Sequence, residues 1–270
     1  MKDLTLKNVS FAYPGGFKAI DDVSLLVKGG SNIAIIGQNG AGKTTAVKMM
    51  NALLKPTEGD VLIGDMNTKE HTTAEVSRIV GYVFQNPDEQ IFHSTVESEV
   101  LFGPKTLKLG LEEEDKRVGE ALRITGMEKY RQENPFDLPL SVRKFITIAS
   151  IIAMDTEVMI FDEPTAGQDL NGNRRLAEIL RYLHEKQKTV ITISHDMEFV
   201  AANFEQVIIM ADKKIVRAGT PKEIFWDFDA LEKAKLKQPY AARICRLLGI
   251  PGNIICPDAA ADAIMNGYGS

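Results

Sequence analysis

Cysteine is nearly absent: Cys245 and Cys256 are the only two in 270 residues, without a C-x-x-C spacing or a nearby histidine pair. That leaves no basis for a disulfide framework or a Cys/His metal site, and two free thiols in a reducing compartment are expected. Long apolar runs are missing as well. No stretch approaches the roughly 18 to 20 residues that a membrane span requires, and the opening MKDLTLKNVS lacks the apolar centre of a signal peptide. The chain is expected to stay in the cytosol. Nor is there an excess of positive charge: 32 Lys and Arg against 37 Asp and Glu leave a net charge of -5. Broad binding to nucleic acid or anionic lipid is disfavoured by that balance, so any membrane role must come through a protein partner. Internal repeats and low-complexity tracts are also lacking. What remains is ordinary globular composition, 44% hydrophobic and 26% charged, enough to bury one good core with elaborations.

Short apolar or alternating runs open the chain, "LTLKNVSFAY", "DDVSLLVK" and "NIAIIG", broken by "PGG" and "KGG" as turns break strands. After "NIAIIG" comes "QNGAGKTT", then Ala46, Val47, Met49, Met50, Leu53 and Leu54 at helical spacing, closed by "KPTEG". The order is strand, glycine loop, helix. From about 87 to 154 the pattern is helical: "EEEDKRVGEALRITG" carries an apolar stripe, and "SVRKFITIASIIAM" is a mostly buried helix opened by Ser141. Strand signals return in "EVMIFDEP", "KTVITISH" and "QVIIMADKKIVRAG", the last with a hairpin turn at "DKK". Strands alternating with helices predict an α/β fold with a parallel core. From Trp226 onward short helices are expected, followed by a tail of Gly, Ala and Pro.

Gly37 to Thr44 spells G-x-x-x-x-G-K-T. Glycines let the backbone curl so that N–H groups surround phosphates, Lys43 neutralises the β and γ charges, and the Thr44 hydroxyl can ligate Mg²⁺. Gly37, Asn39, Gly40, Ala41, Gly42, Lys43, Thr44 and Thr45 are therefore candidate nucleotide ligands. The apolar run "VMIFDEP" delivers Asp162 and Glu163 at a strand's C-terminal end, where parallel sheets collect ligands. Asp162 can hold Mg²⁺, and Glu163 is placed to polarise an attacking water as general base. His195, ending "KTVITISH", could contact the γ-phosphate; Gln85, between "IVGYVF" and "NPDEQIF", could reach Mg²⁺ or the water; Tyr13 in "FAYP" could stack on adenine. Taken alone, His195 would more often be structural and Gln85 an ordinary polar loop residue, while core or surface packing is the alternative for Tyr13.

The segments "FAYP", "GQNGAGKTT", "FQNP", "IFDEPTAGQD" and "TISHD" stand in the order and spacing of ATP-binding-cassette ATPases, which residues 2 to about 225 resemble. Within that group, "QNPDEQIFHSTVESEVLFGPKTLKLG" and "VRAGTPKEIF" are similar to the ATPase subunits of energy-coupling-factor importers of cobalt, nickel and vitamins. The resemblance implies a P-loop NTPase (RecA-like) core with an N-terminal antiparallel β subdomain and a helical insertion, together spanning 1–225. A C-terminal helical extension at 226–270 completes the expected chain. It also implies an ATPase with ATP and Mg²⁺ as cofactors, peripheral on the cytoplasmic face of the membrane, powering micronutrient uptake. Its implied partners are a second ABC ATPase, a transmembrane coupling protein and a substrate-binding membrane protein, with no nucleic acid. A soluble ABC protein outside transport, or a regulatory nucleotide-binding subunit, is the alternative. By position Asp169 would sit on the loop that communicates across the ATPase dimer, and Gln168 stands where many relatives have Leu.

In such dimers each ATP lies between one subunit's phosphate loop and an L-S-G-G-Q signature on the other. Here the glycines are missing. Counted back without gaps from "FDEP", the slots hold Leu138, Pro139, Leu140, Ser141 and Val142; shifted to match Leu140 and Ser141, the following places hold Val142, Arg143 and Lys144. Either Ser141 caps the helix while Arg143 and Lys144 are solvated or paired, or Ser141 still meets a phosphate with a basic side chain replacing lost contacts. A heterodimer with one strong and one weak hydrolytic site is the expectation, a homodimer the alternative.

Overall fold

The computed structural model describes residues 1–267. In chain order its strands are β1 (Leu4–Ala12), β2 (Lys18–Val27), β3 (Asn32–Ile36), β4 (Glu58–Ile63), β5 (Met66–Asn67), β6 (Val80–Val83), β7 (Val158–Asp162), β8 (Thr189–Ile193), β9 (Gln206–Ala211) and β10 (Lys214–Gly219). The helices are α1 (Lys43–Met50), α2 (Thr73–Val76), α3 (Val96–Thr106), α4 (Leu111–Thr125), α5 (Leu140–Met154), α6 (Leu170–Glu185), α7 (Met197–Asn203), α8 (Pro221–Phe225), α9 (Phe228–Lys233), α10 (Tyr240–Leu247) and α11 (Pro257–Gly267).

The early strands form an antiparallel sheet in the order β2-β1-β4-β5, with Leu4 opposite both Val27 and Ile63. A second sheet runs β10-β9-β3-β8-β7-β6, parallel except for the β9–β10 hairpin. That hairpin turns on Asp212 and Lys213, both at positive φ (48° and 68°), the backbone that a two-residue turn needs to match strand twist. Every residue of β3, β7 and β8 is buried, which is why these runs read as continuously apolar. Alternation still assigns their faces. Ile33 and Ile35 join Leu4, Leu6, Met49 and Met50 in a core beneath the antiparallel sheet; Ala34 and Ile36 join Phe145, Ile146 and Phe161 in a core beneath the helices. α3 and α4 add Val96, Val100, Val118 and Leu122 to that second core, against the apolar side of α5.

Three expectations need correction. The helix after the glycine loop ends at Met50 and does not extend to Leu54: Asn51 is its C-cap and Ala52 turns to φ 61°, so Leu53 and Leu54 lie outside it. α5 begins at Leu140, not Ser141. Pro139 occupies the N-cap at φ -56°, ψ 150°, an extended geometry that the pyrrolidine ring favours, and makes no side-chain cap. Ser141 is thus a first-turn residue and does not cap the helix. Last, the Ala-rich stretch after Cys256 is no plain tail. It forms α11, whose Ala260 packs on Ala241 and Cys245 of α10, while the Trp226 indole N–H donates to the Ile254 carbonyl at 3.1 Å. Alanine has the highest helix propensity, and its small side chain allows close approach of the two helices. Cys245 is buried and Cys256 exposed, both as free thiols. Among the described residues, no helix is long and apolar enough to cross a membrane.

Candidate functional site

The C-terminal ends of β3, β6, β7 and β8 open onto one cleft of about 170 Å³, lined by Asn39 to Thr45 with Gln85, Glu163 and His195. Parallel strands end side by side, so residues more than a hundred positions apart in the chain arrive together. The loop after β3 depends on its glycines. Gly42 stands at φ 99°, and a Cβ there would lie 2.6 Å from the Ala19 carbonyl oxygen; at Gly37 it would lie 2.1 Å from that of Met210. Lys43, buried at the start of α1, sends Nζ across the loop to the carbonyls of Gly37 (2.7 Å) and Gln38 (3.1 Å). Burial pushes its pKa down, opposed by the charges of Glu163 and Asp162. The result is a concave loop of amides at a helix N-terminus with a cation across it, a cradle for a polyphosphate.

Glu163 directly follows β7 and takes φ 53°, a left-handed backbone that costs a non-glycine residue about 1 kcal/mol. Its N–H donates to the Ile193 carbonyl (3.0 Å), and its own carbonyl accepts from Lys144 Nζ (2.9 Å). The carboxylate is buried: Oε1 lies 3.0 Å from His195 Nε2, and Oε2 accepts the His195 backbone N–H at 3.2 Å. Burial raises the Glu163 pKa, while the Lys43 charge pulls it back. His195 is shifted down, first by burial and then by Lys43. The imidazole Nε2 thus stands between the Glu163 carboxylate at 3.0 Å and Lys43 Nζ at 3.5 Å. A carboxylate of raised basicity, lining a cleft and held through Oε2 by a backbone N–H, is suited to accept a proton from water.

The Thr44 hydroxyl points at Asp162 Oδ1 from 3.5 Å. A hydroxyl and a carboxylate are hard oxygen donors of the kind Mg²⁺ prefers, and Mg²⁺ sites commonly take only one or two protein groups beside phosphate and water. Among the described residues no group of three His, Cys, Asp or Glu side chains could hold a metal by itself, so the donor set fits Mg²⁺ accompanying a polyphosphate. The other Asp162 oxygen is already engaged. Buried Tyr82 donates its hydroxyl to Oδ2 at 2.7 Å, and burial together with the Asp162 charge keeps that phenol protonated. Tyr82 therefore fixes which oxygen of Asp162 faces Thr44. Replacing it with Phe is expected to raise the Mg²⁺ concentration required for half-maximal turnover by about 10-fold, the scale of lost outer-shell partners. Metal-free nucleotide binding should not change; a Mg²⁺ titration of both properties checks this.

The remaining expected residues are placed as follows. Tyr13 is partly exposed outside the cleft lining, its hydroxyl 3.2 Å from Thr45 Oγ1 and its ring edge-on to Phe11. Gln85 is exposed at the cleft mouth. Ser141 does not line the cleft, and its carbonyl accepts from Gln168 Nε2 at 3.0 Å. Asp169 caps α6 by accepting the Gly172 N–H at 2.7 Å.

Comparison with known proteins bears on this arrangement. Residues 20–166 match the ABC transporter family model, and the chain is 41% identical over 250 residues to the energy-coupling factor transporter ATP-binding protein EcfA of Methanocaldococcus jannaschii, covering 92% of this chain and 90% of that one. The chain belongs to the ABC transporter family. This ABC cassette superimposes on cbiO1 from Clostridium perfringens, part of the ABC transporter complex cbiONQ, with a TM-score of 0.75 and 32% identity, covering 92% and 98% of the two chains. It also matches a dimeric ATP-binding cassette in a post-hydrolysis state bound to ADP and Pi, with a TM-score of 0.74, 28% identity and coverage of 81% and 98%. The protein is an ATP-binding, ATP-hydrolysing cassette of EcfA type with the P-loop ABC fold.

Two cassette residues escaped the sequence reading. Tyr82 passed as one apolar letter of "IVGYVF", although a tyrosine in a buried strand needs a partner for its hydroxyl. For Lys144 the sequence suggests a solvated, paired or phosphate-facing side chain, whereas the structure buries it. Its spacing from Ile148 and Ile151 on α5 would have placed it on the buried face.

Proposed function

We propose that this cassette is the motor subunit of an energy-coupling-factor type importer, hydrolysing ATP at the cytoplasmic face of the membrane to drive uptake of a metal ion or vitamin. Support comes from the gathering of Lys43, Thr44, Asp162, Glu163 and His195 in one cleft, on a chain 41% identical to an energy-coupling factor ATP-binding protein. In this proposal the amides of Gly40 to Thr45 and the Lys43 ammonium hold the β and γ phosphates, and the Tyr13 ring offers its face to adenine. Thr44 and Asp162 would hold Mg²⁺, with Gln85 as a further candidate ligand or water contact on the cleft lining, and the ion would neutralise charge on the phosphates. Glu163 takes the proton of the attacking water; His195 orients Glu163 and contacts the γ-phosphate.

A second ATPase completes the site, and its proposed contact face carries exposed Leu140 and Leu170 beside Ser141 and Gln168. On that face Ser141 offers a hydroxyl and a first-turn amide with no carbonyl one turn back to accept it. Pro139 offers no N–H, Leu140 adds bulk, and neither neighbouring cation is free: Arg143 pairs with Asp88 at 2.8 Å and Lys144 is buried. This chain therefore gives its partner's nucleotide a weakened signature, which favours a heterodimer with one strong site, built on this chain's own phosphate loop. In the co-expressed pair, Glu163→Gln should abolish most turnover and the equivalent change in the partner should cost several-fold less. Equal losses would contradict unequal sites.

The transmembrane coupling protein is proposed to dock in the apolar groove where Leu53, Phe92 and Phe102 are exposed, Phe92 and Phe102 standing edge to face at 4.9 Å. The segment carrying Gln85 leads into this groove, linking it to the cleft. Phe102→Asp should release the ATPase from membranes by fractionation while purified protein keeps its thermal unfolding temperature. Retention of the variant on membranes would argue against this face.

A further inference from the structure

Lys144 is buried to 5% exposure one turn into α5, yet among the described residues its ammonium makes no ion pair. It donates instead to two backbone carbonyls of one loop, those of Glu163 at 2.9 Å and Ala166 at 2.7 Å. Burying a cation is costly unless its donors are satisfied, and here the acceptors belong to the loop that bears the proposed general base. The Glu163 carbonyl is that of the left-handed residue itself, at φ 53°. Charge-assisted hydrogen bonds, roughly twice as strong as neutral ones, therefore hold the strained turn that aims the carboxylate. Gln168 adds a tie at the far end of the same loop, to the Ser141 carbonyl at 3.0 Å. The first turn of α5 and the segment 163–168 thus form one braced unit. Glu163 is faced by Lys43 from α1, Asp162 from β7, His195 after β8 and Lys144 from α5.

The geometry points to Lys144 as a positioning residue for ATP hydrolysis: it fixes the left-handed turn at Glu163, and so ties the helix that faces the partner's nucleotide to this chain's own general base. It acts through Glu163 from outside the cleft lining, and the inference rests on the proposed role of Glu163. In the full-length assembled ATPase, Lys144→Met should lower kcat at least 10-fold while KM for ATP and affinity for a fluorescent ATP analogue stay within about twofold. Lys144→Arg, which keeps charged donors, should recover part of the loss. The deciding measurement is a double-mutant cycle, with residual turnover read as phosphate release from radiolabelled ATP. On a Glu163→Gln background, Lys144→Met should cost less than twofold more, because there is no base left to misplace. A full 10-fold additional loss, or an unchanged kcat in the single variant, would overturn the proposal. Should the methionine variant not fold, Lys144→Gln goes through the same cycle with the same criterion. If Glu163→Gln alone lowers turnover by less than 10-fold, the role of Glu163 fails instead, and the two failures are told apart.

Discussion

Glu163→Gln is expected to lower ATP turnover by about 10²- to 10³-fold while leaving nucleotide affinity within a few-fold, the range a lost general base produces. The amide matches the carboxylate in size and can still accept the His195 backbone N–H that now binds Oε2 at 3.2 Å. Its backbone ties to Ile193 and Lys144 do not involve the side chain, so the loop keeps its course. Only the capacity to take a proton disappears. Steady-state phosphate release against equilibrium titration of a fluorescent ATP analogue separates the two properties. A variant that retains more than a tenth of wild-type turnover would remove Glu163 from the proposed role.

Lys43→Ala should weaken ATP binding by about 100-fold. Hydrogen bonds to charged groups are worth about 1.5 to 3 kcal/mol each, and Lys43 is placed to reach two phosphates, so even a loss of about 2.8 kcal/mol gives two decades in affinity. Its ammonium is buried in a loop whose other donors are fixed backbone amides, and among the described residues it is the only Lys or Arg in the cleft lining. Lys48, later on the same helix and outside the cleft lining, serves as the control: Lys48→Ala should bind ATP as wild type does. Isothermal titration calorimetry of both variants gives the comparison, and near-equal affinities for Lys43→Ala and Lys48→Ala would contradict the phosphate cradle.

Both predictions concern residues legible in the linear sequence. The phosphate loop occupies eight consecutive positions between an apolar strand and a helix, and Glu163 closes an apolar strand, so local chemistry and strand end coincide. The β9–β10 hairpin was legible for the same reason: a two-residue turn at Asp212 and Lys213 is a local event. The start of α5 was not. Ser141 carries the stronger capping propensity, but Pro139 satisfies the extended N-cap geometry without needing a side-chain bond, and the helix follows the proline. Nor is α11 legible: its apolar residues are mostly alanine, and its partner surface on α10 does not show in a one-dimensional pattern.

The sequence by itself determined the family, the nucleotide loop, and the gap in the signature, since each is a matter of residue type at fixed local spacing. Only the tertiary structure decided what the polar residues around that site are doing. Tyr82 meets Asp162 across 80 positions of chain because β6 and β7 are parallel neighbours in register. Lys144 meets the Glu163 carbonyl across 19 positions because α5 packs its apolar face, and the lysine with it, against the core beneath β7. Where a long side chain goes depends on which face of its helix is buried, and burial is set by the sheet that only folding brings beneath it.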